Sequence, residues 1–170
     1  LLKPLKDYII ARNIWTIGGD GWAYDIGFSG IDHVMSNNYN SKILVLDTQM
    51  YSNTGGQASK STQLGSIALF ASSGKDTSKK DLAKMMMSYE NAYVAQVSLS
   101  NPMHLIKTLK EANEYNGPAI VIAYAPCISH GIAGGMVNSL DINKEAVECG
   151  YFPIFRNNPK TGFSLDSKAN

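Results

Sequence analysis

The sequence predicts an α/β domain with a mostly parallel sheet and helices on both faces. Three observations carry this. Short apolar runs alternate with amphipathic ones along the 170 residues, as they do in chains of βαβ units. Several apolar runs are continuous rather than alternating, as strands covered on both faces must be. Three of these runs end in glycine-rich or polar segments, which parallel topology would gather at the carboxyl edge of the sheet, where ligands bind. The length suits one domain with a single core.

The elements follow in order. Ile14-Trp15-Thr16-Ile17 is a short buried strand that breaks at Gly18-Gly19. Trp22 to Ser36 is a helix with Ile26, Ile31, Val34 and Met35 on one face. Gly27 and Gly30 weaken it by about 1 kcal/mol each relative to Ala, and leave room for close packing or a ligand. Ile43-Leu44-Val45-Leu46 is a second buried strand. The stretch from Asp47 to Gln63, "DTQMYSNTGGQASKSTQ", has no regular period, and a loop this long inside a domain is expected to be functional. Lys80 to Tyr89 is helical, with Met85-Met86-Met87 as core filler. Ala92 to Leu99 is a strand. Asn101-Pro102 opens a helix, with Pro102 at its first position and Leu105, Ile106, Leu109 and Ala112 facing inward. Gly117-Pro118 stops it. Ala119 to Tyr124 is another buried strand, and a helix from Asn143 to Cys149 precedes a strand from Tyr151 to Phe155.

Composition narrows the class. Apolar content of 44% and charged content of 17% fit a globular chain. A net charge of +1 gives no field that would draw in nucleic acid or a membrane surface. No apolar run approaches the roughly 18–20 residues that span a bilayer. Ser78-Lys79-Lys80 and Lys107 to Lys110 are expected to be solvated helix faces. Two cysteines, Cys127 and Cys149, make no disulfide framework, so a reducing compartment is the default. The opening Leu1-Leu2-Lys3 suggests a piece of a longer polypeptide.

The chemistry concentrates where strands end. Gly19-Asp20-Gly21, Asp47-Thr48 and Ala125-Pro126-Cys127 each follow a strand. A strand, a glycine turn and a helix start present free N–H groups that suit a phosphate. Yet Gly19-x-Gly21 is followed by Tyr24 where a dinucleotide fingerprint needs its third Gly, and no P-loop string exists. Asp20 changes the problem, because a carboxylate beside a phosphate repels it unless a cation lies between them. Mg²⁺ needs six oxygens and is commonly shared between one or two protein groups and a phosphate. Thr48, 28 residues after Asp20, would supply a hydroxyl, and Met50 a backbone carbonyl. The alternative stands equal on spacing alone: Asp20 caps the helix and Thr48 starts a turn.

Other residues invite simpler readings. Cys127 and His130 stand at zinc-like spacing without a second pair. Cys149 is expected to be a buried small hydrophobe. His33 is expected to pack or hydrogen-bond rather than catalyse, and His104 to lie on the surface near a helix start. Trp22 is either a staple near the loop or a wall of the phosphate site.

The strings "GGDGWAYDIGFSGIDHVM", "LVLDTQMYSNTGGQASKST", "SGKDTSKKDLAKMMM", "VIAYAPCISHG" and "GYFPIFRNNP…FSLDSK" together resemble the pyruvate:ferredoxin oxidoreductase family, in that family's order and over essentially the whole chain. The G-D-G at Gly19 to Gly21 resembles the thiamine diphosphate signature, with Thr48 replacing the usual Asn ligand. The resemblance implies the diphosphate-binding half of a thiamine diphosphate fold, as one domain over residues 1–170 of a larger chain. It implies that Asp20, Thr48 and the Met50 carbonyl hold Mg²⁺. The amides of Gly21 and Trp22, beside Gly19, would meet the diphosphate, and Asn53 would approach the thiazolium ring and pyruvate. Cys127 would be one of four thiolates on a 4Fe-4S cluster. Since a cluster needs about four thiolates, the other three would come from the rest of the parent chain, as would the domain facing the pyrimidine. Pyruvate and coenzyme A would be substrates, ferredoxin or flavodoxin the electron acceptor, and a homodimer the assembly, in the cytoplasm or a hydrogenosome-like organelle. Two other readings remain: the related enzyme fused to an NADP reductase, and a non-catalytic α/β binding module.

Overall fold

A computed structural model describes residues 13–167 of the chain. Its centre is a six-stranded sheet in the order β1-β2-β4-β3-β5-β6. The strands are β1 (Ile14–Gly19), β2 (Ser41–Asp47), β3 (Tyr93–Val97), β4 (Ala119–Tyr124), β5 (Phe155–Asn158) and β6 (Gly162–Leu165). β1 to β4 run parallel, and β5 and β6 form an antiparallel hairpin at the far edge. The helices are α1 (Phe28–Ser36), α2 (Leu82–Met86), α3 (Pro102–Glu114) and α4 (Ser139–Glu148). Among the described residues no helix is long and apolar enough to cross a membrane.

The predicted class holds, because β3 and β4 are buried along nearly their whole length. One face of the sheet packs Ile43, Val45, Val94, Ile120 and Ile122 against α1, α2 and α4 through Ile31, Met35, Met86 and Ala146. The other packs Tyr93, Ala95, Val97, Ala119 and Val121 against α3 through Leu105, Leu109 and Ala112. β4 has the bounds the sequence predicts. So does the start of α3, where the Asn101 side chain accepts from the His104 amide and Pro102 takes the first turn, since proline needs no N–H partner there.

Several expectations are corrected. β1 is not buried: Ile14 is 65% and Ile17 62% exposed, because β1 is the outermost strand and its neighbour covers only one side. The predicted helix from Trp22 is broken. A π-type turn, Gly21–Ile26, ends at Gly27, and α1 starts at Phe28. The Gly27 amide donates to the Trp22 carbonyl at 2.8 Å, and the Trp22 ring fills the space where a Cβ on Gly18 or Gly27 would sit, 2.4 Å and 2.2 Å away. Trp22 is thus a staple between β1 and α1. The irregular stretch after β2 continues past Gln63 to Asp81, and α2 is shorter than predicted. Met86 of that helix is core, whereas Met85 is exposed.

Lys79 and Lys80 are not a solvated helix face. The Lys79 ammonium pairs with the buried Asp47 carboxylate at 2.5 Å, and Lys80 donates to the Tyr24 carbonyl and lies over the Phe28 ring. Lys79 pins the returning loop to the end of β2, and Lys80 pins it to the π-turn. Cys149 is exposed, since it caps α4 beyond the buried Ala146 and Val147. The strand predicted at Tyr151 starts at Phe155 instead, after Pro153, and β6 completes a hairpin that the sequence does not announce.

That hairpin is held by charge. Arg156 donates from Nη2 to Asp166 and from Nη1 to Glu111, both at 2.9 Å. His104 lies 3.1 Å from Asp166, so it is a buried partner of this network and not the expected surface residue. Hydrogen bonds from the Arg156 guanidinium hold the Asp166 carboxyl well below the usual carboxylate range. A depressed native pKa stabilises fully above the unfolded value of about 3.9 and loses that contribution as pH falls below it. Acidification from about pH 5 to about pH 2.5 should therefore lower amide-exchange protection in β5 and β6. Asp166→Asn should start from lower protection and lose this part of the pH dependence.

Candidate functional site

Parallel pairing brings the ends of β1, β2 and β4 together. Gly19 pairs with Leu46, and Asp47 with Tyr124, while the Ala125 amide donates to the Asp47 carbonyl at 3.1 Å. Asp20, Thr48 and Cys127 therefore project from one edge, as the sequence predicts.

Asp20 follows β1 directly and is 2% exposed. It stands at the N-cap position of the π-type turn Gly21–Ile26, but its side chain makes no capping hydrogen bond. Its Oδ1 accepts from the Thr48 hydroxyl at 2.7 Å, and its Oδ2 from the Ser59 and Ser61 hydroxyls at 2.6 Å and 2.7 Å. The Thr48 hydroxyl also lies 3.0 Å from the Met50 carbonyl, and the Ser52 hydroxyl donates to Thr48 Oγ1 at 3.0 Å. One hydroxyl carries one proton, so Thr48 cannot donate to Asp20 and Met50 together. Lone pairs outnumber protons here, which is the condition a cation relieves.

The donor set suits a hard divalent ion. It contains a carboxylate, a hydroxyl and a carbonyl, all oxygen. Metal–oxygen distances of about 2.1 Å in an octahedron place adjacent oxygens about 2.9–3.0 Å apart, close to the 2.7 Å and 3.0 Å seen between Thr48 Oγ1 and its two neighbours. Gln49 makes the convergence of Thr48 and Met50 feasible. Its φ of +64° is the left-handed conformation that non-glycine residues seldom adopt. Its carbonyl accepts from the Thr62 hydroxyl, and its side-chain oxygen from the Tyr151 hydroxyl, both at 2.6 Å.

Gly21 opens the π-turn. A Cβ there would lie 2.3 Å from the Tyr51 ring, so the bare backbone is required by the loop packed upon it. Asn53 lies exposed in the turn between Tyr51 and Gln57, which pair with each other. Gly55 and Gly56 close that turn with φ of +113° and +89°. Among the described residues Asn53 is thus held near the edge by its loop and does not touch Asp20 or Thr48 by hydrogen bond.

Cys127 stands just after β4, beside a cavity of about 350 Å³ that Thr48, Gln49 and His130 also line. Burial pushes its thiol up, but nearby polar groups, among them the Ser129 amide that donates to its sulfur at 3.4 Å, outweigh that and leave it below the ordinary value. Thiolate is the form that ligates metal. His130 Nε2 lies 3.1 Å from the Thr48 carbonyl, and His33 is exposed on α1. Among the described residues no three His, Cys, Asp or Glu side chains gather as a metal group.

Ser59, Ser61 and Thr62 are the site residues that sequence reasoning missed. They lie in the same long loop, but nothing in "ASKST" says that its hydroxyls fold back onto Asp20.

The family of thiamine pyrophosphate enzymes, C-terminal TPP binding domain, matches residues 6–123. The chain belongs to that family. Its TPP-binding domain is 54% identical over 170 residues to the pyruvate:ferredoxin oxidoreductase of Moorella thermoacetica, covering 96% of this chain and 14% of that protein. It is 51% identical to the pyruvate-flavodoxin oxidoreductase of Klebsiella pneumoniae, with the same two coverages. It is 50% identical to the mitochondrial pyruvate dehydrogenase [NADP(+)] of Euglena gracilis, over 96% of this chain and 9% of that one. The TPP-binding domain thus spans a small part of the length of these relatives. A solved 2-oxoglutarate:ferredoxin oxidoreductase from Magnetococcus marinus, with 2-oxoglutarate, coenzyme A and succinyl-CoA bound, superposes with a TM-score of 0.63 at 27% identity, over 66% of this chain and 40% of that one.

Gly21→Ala should force Tyr51 aside. Overpacking of this kind costs about 1–3 kcal/mol, so the variant should unfold at a lower denaturant concentration than the wild-type protein, read by equilibrium unfolding.

Proposed function

We propose that this domain is the diphosphate and Mg²⁺ half of the site of a pyruvate oxidoreductase. The parent would convert pyruvate and coenzyme A into acetyl-CoA and CO2, releasing two electrons and a proton. The electrons would pass singly through iron–sulfur clusters to ferredoxin or flavodoxin. The observation that carries this reading is the convergence of Asp20 Oδ1, Thr48 Oγ1 and the Met50 carbonyl in a TPP-binding domain. Pyruvate is the substrate in the names of three relatives at 50–54% identity.

Thiamine diphosphate, when bound, supplies the electron sink that lets CO2 leave. The chain's own residues hold and orient. Asp20, Thr48 and Met50 would fix Mg²⁺ against the diphosphate, cancelling repulsion between two anions. The amides of Gly21 and Trp22, beside Gly19, would hold a phosphate oxygen at the start of the turn. Asn53 would reach from its exposed loop toward the reacting end and the substrate carbonyl. Cys127, with its thiol biased toward thiolate, would hold one iron of a 4Fe-4S cluster whose other ligands come from the rest of the parent. The same reading gives a cytoplasmic homodimer whose single chain carries residues 1–170 as one domain.

The match to the Euglena protein, 50% identical and named for NADP⁺, favours a second reading in which a fused NADP⁺ reductase takes the electrons. Which acceptor the purified parent reduces decides between them.

Anaerobic dye reduction by the full-length parent, given pyruvate and coenzyme A, tests the main reading. Asp20→Ala should abolish pyruvate-dependent reduction and Mg²⁺-dependent cofactor binding together. Activity with a different 2-oxoacid only would move the substrate. No activity with any 2-oxoacid, from a parent loaded with cofactor and clusters, would leave a binding module. Cys127→Ser should retain thiamine diphosphate binding while removing or altering one cluster's electron paramagnetic resonance signal.

A further inference from the structure

The carboxylate of Asp20 is gripped from behind. While Oδ1 faces Thr48, Oδ2 accepts from Ser59 and Ser61. The Ser61 amide donates to Ser59 Oγ at 3.1 Å, and the two serine hydroxyl oxygens lie 2.7 Å apart. Both serines are buried. Thr62 extends the grip. Its Oγ1 accepts from the Ser59 amide at 2.9 Å and donates to the Gln49 carbonyl at 2.6 Å. Gln49 is the strained residue between Thr48 and Met50.

We propose that Ser59, Ser61 and Thr62 are positioning residues for a divalent cation at Asp20, Thr48 and Met50. The proposal rests on the cation reading given above. The serine pair fixes the rotation of the Asp20 carboxylate, whose terminal torsion is otherwise broad. Oδ1 is then the oxygen left facing the Thr48 hydroxyl and the Met50 carbonyl. Thr62 holds the Gln49 peptide in the left-handed turn that aims those two oxygens at the same point. One five-residue stretch of the loop, from Ala58 to Thr62, thus braces ligands contributed by β1 and by the segment after β2. Lys60 anchors this stretch independently, since its ammonium and amide both reach Asp25 of the π-turn, at 2.6 Å and 3.2 Å.

Partners that orient metal ligands typically cost 10–100-fold in metal affinity when lost. The test titrates metal-free, full-length parent with Mg²⁺ in the presence of thiamine diphosphate and follows cofactor binding by calorimetry and circular dichroism. Ser59→Ala combined with Ser61→Ala should raise the half-saturating Mg²⁺ concentration by about 10–100-fold. Thr62→Val should raise it in the same direction. In each variant, saturating Mg²⁺ should restore thiamine diphosphate affinity to near the wild-type value. That rescue separates a positioning role from damage to the fold. The single serine variants serve if the double variant does not fold. Wild-type Mg²⁺ dependence in the folded variants would overturn the proposal, as would a loss of cofactor binding that no Mg²⁺ concentration restores. Cofactor binding by the wild-type parent without any dependence on Mg²⁺ would instead overturn the cation reading beneath it.

Discussion

A buried carboxylate at the end of an exposed edge strand is the constraint on which the site depends. Asp20 cannot be taken out of water without partners, because an unpaired buried charge costs far more than a protein's net stability can absorb. Three hydroxyls, from Thr48, Ser59 and Ser61, meet it. They come from the long irregular segment that follows β2. The acid is thus held by the loop, and its hydrogen bonds tie the loop to β1 in turn. Further ties return the same segment to the π-turn and to β2: Lys60 to Asp25, Lys80 to the Tyr24 carbonyl, and Lys79 to Asp47. Tyr24 completes that set by donating to the same Asp47 oxygen at 2.8 Å.

This arrangement explains why the ligand edge lies where it does. Four parallel strands present their carboxyl ends together, and the connections leaving β1, β2 and β4 carry the polar groups. The far edge is closed differently, by an antiparallel hairpin tied to α3 through Arg156, Glu111 and Asp166. The carboxyl ends of the strands thus hold the chemistry, and the β5-β6 side edge holds structure.

Much of this was legible in the sequence, for reasons that can be named. β4 and the start of α3 carry unambiguous signals, an uninterrupted apolar run and an Asn-Pro cap. Asp20, Thr48 and Met50 were placed together by strand endings and spacing, and the resemblance gave them a role. The failures are equally physical. Apolar content does not distinguish an edge strand from a central one, so β1 was expected to be buried. The polar run Arg156-Asn157-Asn158 hides a strand because Arg156 and Asn158 serve a network with Glu111 and Asp166 rather than a core. His104 was expected on the surface because its partner Asp166 lies 62 residues away. Ser59 and Ser61 were invisible for the same reason, standing 39 and 41 residues from the acid they serve.

The most direct measurement is a crystal structure of the parent grown with Mn²⁺ in place of Mg²⁺ and with thiamine diphosphate. Anomalous scattering would then locate the metal. A peak bonded to Asp20 Oδ1, Thr48 Oγ1 and the Met50 carbonyl, with both serine hydroxyls still on Asp20 Oδ2, is the expected result. A metal bound elsewhere, or bound to Asp20 through Oδ2 with the serines displaced, would contradict it.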